Sequence, residues 1–302
     1  MSEGGPRGPL SPTLSPQEAE ELARRYGLEL VGQRPGLLAY VRDVWRHRHL
    51  MWAMAKGDFV ATHQDNYLGL LWSILNPILL GVAYYLIFGV LIGTRGGIEN
   101  FVAFLTIGLF TYIPVAAALT GGSKSVLRKS SMIRSLRFPR VLLPITTVLS
   151  QFVASLPAFM ILLLIALISK EPPSLTWLLF PVALLVVLVV SLGMAMLTAR
   201  IVNAVRDTAN LVPLLVRLLR YVSGVFFSVD AALARMGDPE PWVAALLQYQ
   251  PVAVLLTLVR ETLMQEYPVR GETWAVAGGW AVGLFVVGFV VFWRGEGTYG
   301  RS

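Results

Sequence analysis

The chain has 302 residues, of which 55% are hydrophobic and only 14% are charged. A soluble domain carries about 25% charged residues, so this composition excludes an ordinary soluble domain and indicates several membrane-spanning segments. The net charge of +7 is therefore interpreted as basic cytoplasmic loops and not as a nucleic-acid-binding surface. The chain contains no cysteine, which excludes disulfides, thiolate catalysis and cysteine-ligated metals.

The N-terminal part precedes every segment long enough to cross a membrane. Residues 1–35 begin with a stretch rich in Gly, Pro and Ser, which predicts a flexible extension that contains one short helix. Residues 36–59 are predicted to form an amphipathic helix in the membrane interface. Their apolar residues share one helical face: Leu37, Leu38, Val41, Val44 and Trp45. The alternative, a helix packed on a soluble domain, is disfavoured because no such domain follows.

Six long apolar runs follow, each of about the 20 residues that cross the hydrocarbon core. Together with the interface helix they predict an all-α polytopic membrane domain over residues 36–302. The predicted transmembrane helices lie near 70–93, 101–120, 141–169, 175–199, 210–229 and 274–292.

The segment 241–263 is also apolar, but Gln248, Gln250 and Pro251 interrupt it. Neither half is long enough to span, so we expect a re-entrant hairpin that enters the membrane from the outer side. Such backbone is tolerated only against protein or a water-filled cavity.

The distribution of basic residues predicts the orientation of the chain in the membrane. The loop 121–140 has six basic residues and no acidic one, whereas 230–273 has six acidic residues against three basic ones. Because cytoplasmic loops carry the excess of Lys and Arg, the N-terminus, the 121–140 loop and the C-terminus are predicted to be cytoplasmic.

The predicted spans lack the groups that ion coupling or catalysis would need. They contain no Asp or Glu, and coupled transporters usually carry carboxylates there. The three histidines all precede the first span, and no P-loop is present, since "GGSKS" at 121–125 lacks the Gly before Lys. The chain is therefore predicted to be no enzyme and to bind no cofactor or metal itself. Any energy for transport must come from a partner protein.

Two predicted spans carry aromatic stripes. Tyr84 and Phe88 fall on one face of the first span, and Phe104 and Tyr112 fall on one face of the second. Each stripe also contains a glycine. Helix packing is the alternative interpretation, but it explains the mid-span tyrosine hydroxyls poorly because a buried hydroxyl needs a partner. Aromatic faces with hydroxyls are suited to the passage of sugars, so these four residues are predicted to line a substrate path.

Arg217 and Arg220 are the charged residues well inside a predicted span, and they are three positions apart on one helical face. One interpretation is that both reach the cytoplasmic headgroups. The other is a site for the phosphate of a translocating lipid-linked substrate, because guanidinium matches phosphate geometry.

The order of these features resembles the ABC-type export permeases of the type-2 class, and in particular the exporters of O-antigen, teichoic acid and related cell-wall glycans. "LGLLWSILNP" matches the entry to the first span, and "SMIRSLRFPRVLLP" matches the cytoplasmic loop. "YQPVAVLLTLVRE" is similar to the outer re-entrant segment, although Gln250 stands where the family usually has Asn. The resemblance covers residues 36–295.

The resemblance implies a homodimer of six-span subunits in the cytoplasmic membrane, with two separate ATP-binding subunits docked below it. ATP and Mg would be bound by those partners, and a polyprenyl-linked polysaccharide would cross at the dimer interface. The basic loop is the predicted docking site for the ATP-binding subunits, through Lys124, Arg128, Lys129, Arg134, Arg137, Phe138 and Arg140.

Two alternatives stay open. One is an exporter of the same fold that moves drugs or lipids. The other is a membrane enzyme of glycan assembly, which would need carboxylates near the membrane surface. Asp230, Asp238 and Glu240 lie in the outer loop but have no recognisable spacing.

Overall fold

The computed structural model describes residues 21–22, 25, 36–64, 71–91, 98–237 and 240–299, except for the side chains at 63, 64, 73, 74, 88, 89 and 134. Residues 36–302 form one compact unit, separate from residues 1–35. Within the described part the chain is helical and contains no strand, which confirms the all-α prediction. The short helix predicted in residues 1–35 lies almost entirely outside the described residues.

The predicted interface helix is two helices, α1 (Leu37–Arg46) and α2 (Arg48–Gln64), separated at His47. The His47 side chain bends back to the Asp43 carboxylate, 3.2 Å away. Leu38 and Trp45 on α1 are 85% and 71% exposed, so protein does not cover the apolar face. An uncovered apolar face is what a helix in the membrane interface requires.

The first predicted span is α3 (Leu71–Tyr84), which continues as one stretch of π-helix over Tyr85–Leu91. The next span is α4 (Phe101–Ser123), whose first turn is capped by the Asn100 side chain. Most of α4 is buried, so this helix forms the centre of the domain.

Two short helices, α5 (Ser125–Arg128) and α6 (Ser130–Ser135), occupy the basic loop before α7 (Leu142–Ile168). A 3₁₀ turn over Leu175–Leu179 leads into α8 (Phe180–Ala204). The helices α4, α7 and α8 pack against one another, and their apolar side chains form the main core.

The predicted span near 210–229 is shorter in the structure. It is the 15-residue helix α9 (Thr208–Val222), which stops just before Gly224, a residue with φ of +74°. A left-handed residue after the last turn is a common helix stop.

Three helices follow: α10 (Val229–Met236), α11 (Pro241–Tyr249) and α12 (Pro251–Leu263). The last two meet at Gln250 with a bend of 59°, and both begin with proline at the first position, where its missing N–H costs nothing. A broken span and a re-entrant segment both fit this bend, so the predicted outer hairpin stays a prediction.

The final long helix is α13 (Gly271–Arg294). It packs closely on α8, because a Cβ added at Gly288 would lie 2.5 Å from the carbonyl oxygen of Gly193. Such small residues let two membrane helices approach backbone to backbone. By length and composition, four described helices can cross a membrane, or five if α11 and α12 form one span. The chain is thus a multi-pass membrane protein, but the count of six spans is not confirmed.

Candidate functional site

Three of the predicted path residues meet in one cluster between α3, α4 and α9. The guanidinium carbon of Arg220 lies 5.3 Å from the centroid of the Tyr112 ring, and its Nη1 donates to the Tyr84 hydroxyl at 3.3 Å. The Tyr112 hydroxyl donates to the Val216 carbonyl, one turn before Arg220. We call Tyr84, Tyr112 and Arg220 the α9 cluster.

Arg220 is half-buried, and its Nε contacts no acceptor among the described residues. An arginine over an aromatic ring is stabilised by the ring quadrupole, which keeps the charge in place without a carboxylate. The cluster therefore holds a positioned and partly exposed cation, and a guanidinium group carries five N–H donors in all.

Two further rings extend this cluster and were not predicted from the sequence. Phe226 lies 4.5 Å from the Tyr84 ring and 5.7 Å from the Tyr221 ring, measured between centroids. Phe226 belongs to the irregular turn after α9, where no helical period connects it with the other aromatics. No pattern in the sequence analysis therefore pointed to Phe226.

A second cation, Arg260 on α12, was also missed. It is only 3% exposed, and its guanidinium carbon lies 3.5 Å from the Phe104 ring centroid. Its Nη2 donates to the carbonyl of Gly224 at 2.9 Å and is 3.4 Å from those of Phe104 and Val225. The sequence signal was an arginine near the end of an otherwise apolar helix, but it lay outside the predicted spans.

Buried carboxylates fix the end of α12 next to Arg260. Glu261 accepts from the Thr273 hydroxyl at 2.6 Å and from the Arg270 backbone N–H at 3.1 Å. Glu171, before α8, accepts from the Asn100 side chain at 2.8 Å and from the Gln265 N–H at 3.1 Å. This end of the domain is held by satisfied buried hydrogen bonds, which indicates a rigid frame.

The remaining predicted path residues are placed differently. Phe104 is buried in the core of the chain, as is Tyr112 of the α9 cluster, so in this conformation both rings contact protein and not an open route. Arg217, on α9, is exposed. The side chain of Phe88 lies outside the described residues. The path assignment of all six residues stays a prediction.

The predicted docking loop is only partly available to a partner. Arg128 and Arg137 are exposed, and Lys124 is half-buried. Lys129 forms an ion pair with Asp58 of α2, and Phe138 packs on a second small core. The side chain of Arg134 lies outside the described residues.

Arg140, the last residue of this set, is used inside the chain. Its guanidinium donates to the carbonyls of Glu296 and Tyr299, and its backbone N–H donates to the Glu296 carboxylate at 3.0 Å. The Tyr40 hydroxyl donates to the same carboxylate at 2.7 Å, and burial raises the pKa of Glu296. These contacts join α1, the basic loop and the segment after α13, so Arg140 holds the loop in place.

Residues 49–264 match the ABC-2 type transporter family. This match covers more than half of the chain, and the chain belongs to that family. Membership identifies a transport permease of the membrane and implies an ATP-binding partner.

Three curated relatives are similar over most of the chain. An O-antigen export system permease protein RfbA from Myxococcus xanthus is 28% identical over 224 residues, which is 72% of this chain and 84% of the relative. Two proteins of the same name from Klebsiella pneumoniae are each 24% identical over 71% of this chain and 80% of their own length.

Proposed function

We propose that this protein is the membrane subunit of an ATP-driven exporter of lipid-linked polysaccharide in the cytoplasmic membrane. Two copies would form the route, and two ATP-binding subunits would supply the energy from the cytoplasmic side, where both termini lie. The observation that carries this proposal is the likeness to O-antigen export permeases over more than 70% of the chain.

The face of α9 supports a homodimer. Leu214, Leu218 and Arg217 are all exposed on it. A charged side chain within a membrane span almost always faces a bundle interior or a water-filled cavity, because exposure to lipid is costly. A second copy facing α9 would remove Arg217 from lipid and form a route with a cationic wall.

The α9 cluster suits the proposed substrate. A lipid-linked glycan has phosphate next to sugar, and guanidinium binds phosphate through several N–H donors. Arg220 provides the cation, while the rings and hydroxyls of Tyr84 and Tyr221 suit the neighbouring sugar. This combination favours a glycosylated lipid over a simple apolar drug.

The test is ATP hydrolysis by the complete complex in proteoliposomes. We expect a lipid-linked oligosaccharide to stimulate hydrolysis, and undecaprenyl phosphate without sugar or an amphiphilic drug to stimulate it less. Equal or greater stimulation by the drug would contradict the glycan proposal and favour a drug exporter of the same fold.

Docking is tested separately through the basic loop. Replacing Arg134 and Arg137 by Glu reverses the charge that would attract an acidic partner surface, so co-purification of the ATP-binding subunit should fall. Lys170→Glu, an exposed charge reversal between α7 and α8, is the control and should not change co-purification. Full recruitment by the loop variant would exclude Arg134 and Arg137 from the docking site.

A further inference from the structure

Two adjoining cavities lie on the side of the domain where α2, α4 and α7 meet. The first has a volume of about 190 Å³ and a polar lining that comprises Asp58, Thr62, Ser125, Arg128, Lys129 and Ser150. The second has a volume of about 440 Å³ and a mainly apolar lining that includes Trp72, Pro77, Leu80, Phe110, Pro114 and Ala158. The larger volume is within the roughly 300–1,000 Å³ of ligand pockets.

The two cavities share Thr62 and Gln151, which line both of them. The Gln151 side chain lies against the backbone of Gly121, where a Cβ would displace it. Its Oε1 is buried and accepts no hydrogen bond from the described residues. Because Thr62 and Gln151 line both cavities, the two cavities are treated as one two-part cavity.

The polar cavity is cationic. Lys129 pairs with Asp58, which leaves Arg128 as the excess charge, and no described carboxylate pairs with it. An exposed guanidinium with backbone-bound hydroxyls around it favours a phosphate, to which it can donate two parallel hydrogen bonds.

The length of the combined cavity matches one leaflet. Its lining on α7 runs from Thr147 in the polar part to Ala158 in the apolar part, a distance of about 16 Å at 1.5 Å per residue. One leaflet with its headgroups is about 20 Å thick, which is half of a bilayer of about 40–45 Å. Because the basic loop marks the cytoplasmic side, the polar part lies at the cytoplasmic headgroups and the apolar part extends towards the bilayer centre.

We propose that this two-part cavity binds one anionic phospholipid of the cytoplasmic leaflet. Its phosphate contacts Arg128 and Lys129, and one acyl chain occupies the apolar part. An acyl chain ends near the bilayer centre, whereas a long polyprenyl chain would exceed the cavity. The bound lipid would join the interface helix α2 to the core.

The experiment is native mass spectrometry of the purified, delipidated full-length chain titrated with phosphatidylglycerol. Arg128→Gln should weaken binding about tenfold, as expected for a hydrogen bond between charged groups. Ala154→Phe fills the apolar part, which Ala154 lines, and should abolish the bound state.

Two matched variants control for general effects. Arg206→Gln removes an exposed cation elsewhere, and Val153→Phe adds the same ring at a neighbouring position of α7 that is 39% exposed. Both should bind phosphatidylglycerol like the parent chain. Equal binding by all four variants would overturn the site.

A competition arm distinguishes the lipid sources. Undecaprenyl phosphate should fail to displace phosphatidylglycerol. Displacement at equal concentration would overturn the phospholipid assignment and indicate a site for the polyprenyl carrier. Because binding is measured on the isolated chain, this result is independent of which substrate the complex exports.

Discussion

Arg220 and Arg260 both lie over an aromatic ring of α4, but their surroundings differ. Arg260 is 3% exposed and donates to backbone carbonyls of the turn after α9. Arg220 is half-buried and has a tyrosine hydroxyl as its partner. The Nε of each arginine is buried without a described acceptor, so this atom does not distinguish them.

The difference indicates a structural role for Arg260 and fits the binding role proposed for Arg220. Arg260 donates through Nη2 to the carbonyls of Gly224 and Val225. Its side chain is buried, so its charge is enclosed by the fold and is inaccessible to a substrate. Arg220 is held by its ring contact and by the Tyr84 hydroxyl, and its side chain stays partly exposed. Burial and hydrogen bonding, and not the shared cation–π contact, distinguish the two roles.

The largest expected effect is from Arg260→Met. The methionine side chain is similar in length to arginine but has no hydrogen-bond donor. The carbonyls of Gly224 and Val225 would then be buried without partners, at about 1–3 kcal/mol each. We expect a loss of about 3 kcal/mol or failure to fold, measured by fluorescence-detected thermal unfolding in detergent. Normal stability would contradict the structural assignment.

The second effect comes from Gly108→Ala, which acts on Arg260 through space. A Cβ at Gly108 would lie 2.6 Å from Arg260 Nη2, so the guanidinium must shift. Overpacking of this kind lowers the free energy of unfolding by about 1–3 kcal/mol. Gly81→Ala is the matched control, because its Cβ would meet only Leu109 at 3.9 Å. The same melting measurement should show destabilisation for Gly108→Ala alone. Equal melting of the two variants would show that Arg260 can move freely.

The third effect concerns function. Arg220→Gln should lower substrate-stimulated ATP hydrolysis of the complex about tenfold, the equivalent of one charged hydrogen bond, while the melting temperature stays close to that of the parent. Arg220→Lys keeps the positive charge but loses the planar guanidinium group, which can donate two parallel hydrogen bonds. Its stimulated ATP hydrolysis should lie between that of the parent and that of Arg220→Gln. Arg217→Gln, outside the α9 cluster, should be milder than Arg220→Gln. The reverse order would transfer the binding role to Arg217.

The smallest effect is expected from Tyr84→Phe, which removes the acceptor of Arg220 and keeps the ring on Phe226. A single hydrogen bond of this kind contributes about 1 kcal/mol, so stimulated hydrolysis should fall about fivefold or less. Tyr85→Phe, the adjacent residue on a different helical face, is the control and should have no effect. A loss as large as that of Arg220→Gln would show that the hydroxyl itself contacts the substrate.

The sequence by itself determined the membrane class, the helical content and most helix positions. Runs such as 101–120 and 274–292 are long and apolar, and this property is local, because each residue contributes its own transfer free energy. The family resemblance was equally accessible, since motifs such as "LGLLWSILNP" are contiguous.

Only the tertiary structure decided which charged and aromatic residues meet. Arg260 contacts Phe104, which is 156 positions away in the sequence, and Arg140 is bound by residues after α13. No helical periodicity in the sequence could predict contacts between such distant residues. The sequence also did not predict the length of α9, because the apolar run continues past Val222. The helix ends there because Gly224 adopts a left-handed backbone conformation. Hydropathy is a sum over neighbours in the chain, whereas burial, backbone handedness and hydrogen-bond partners depend on neighbours in space.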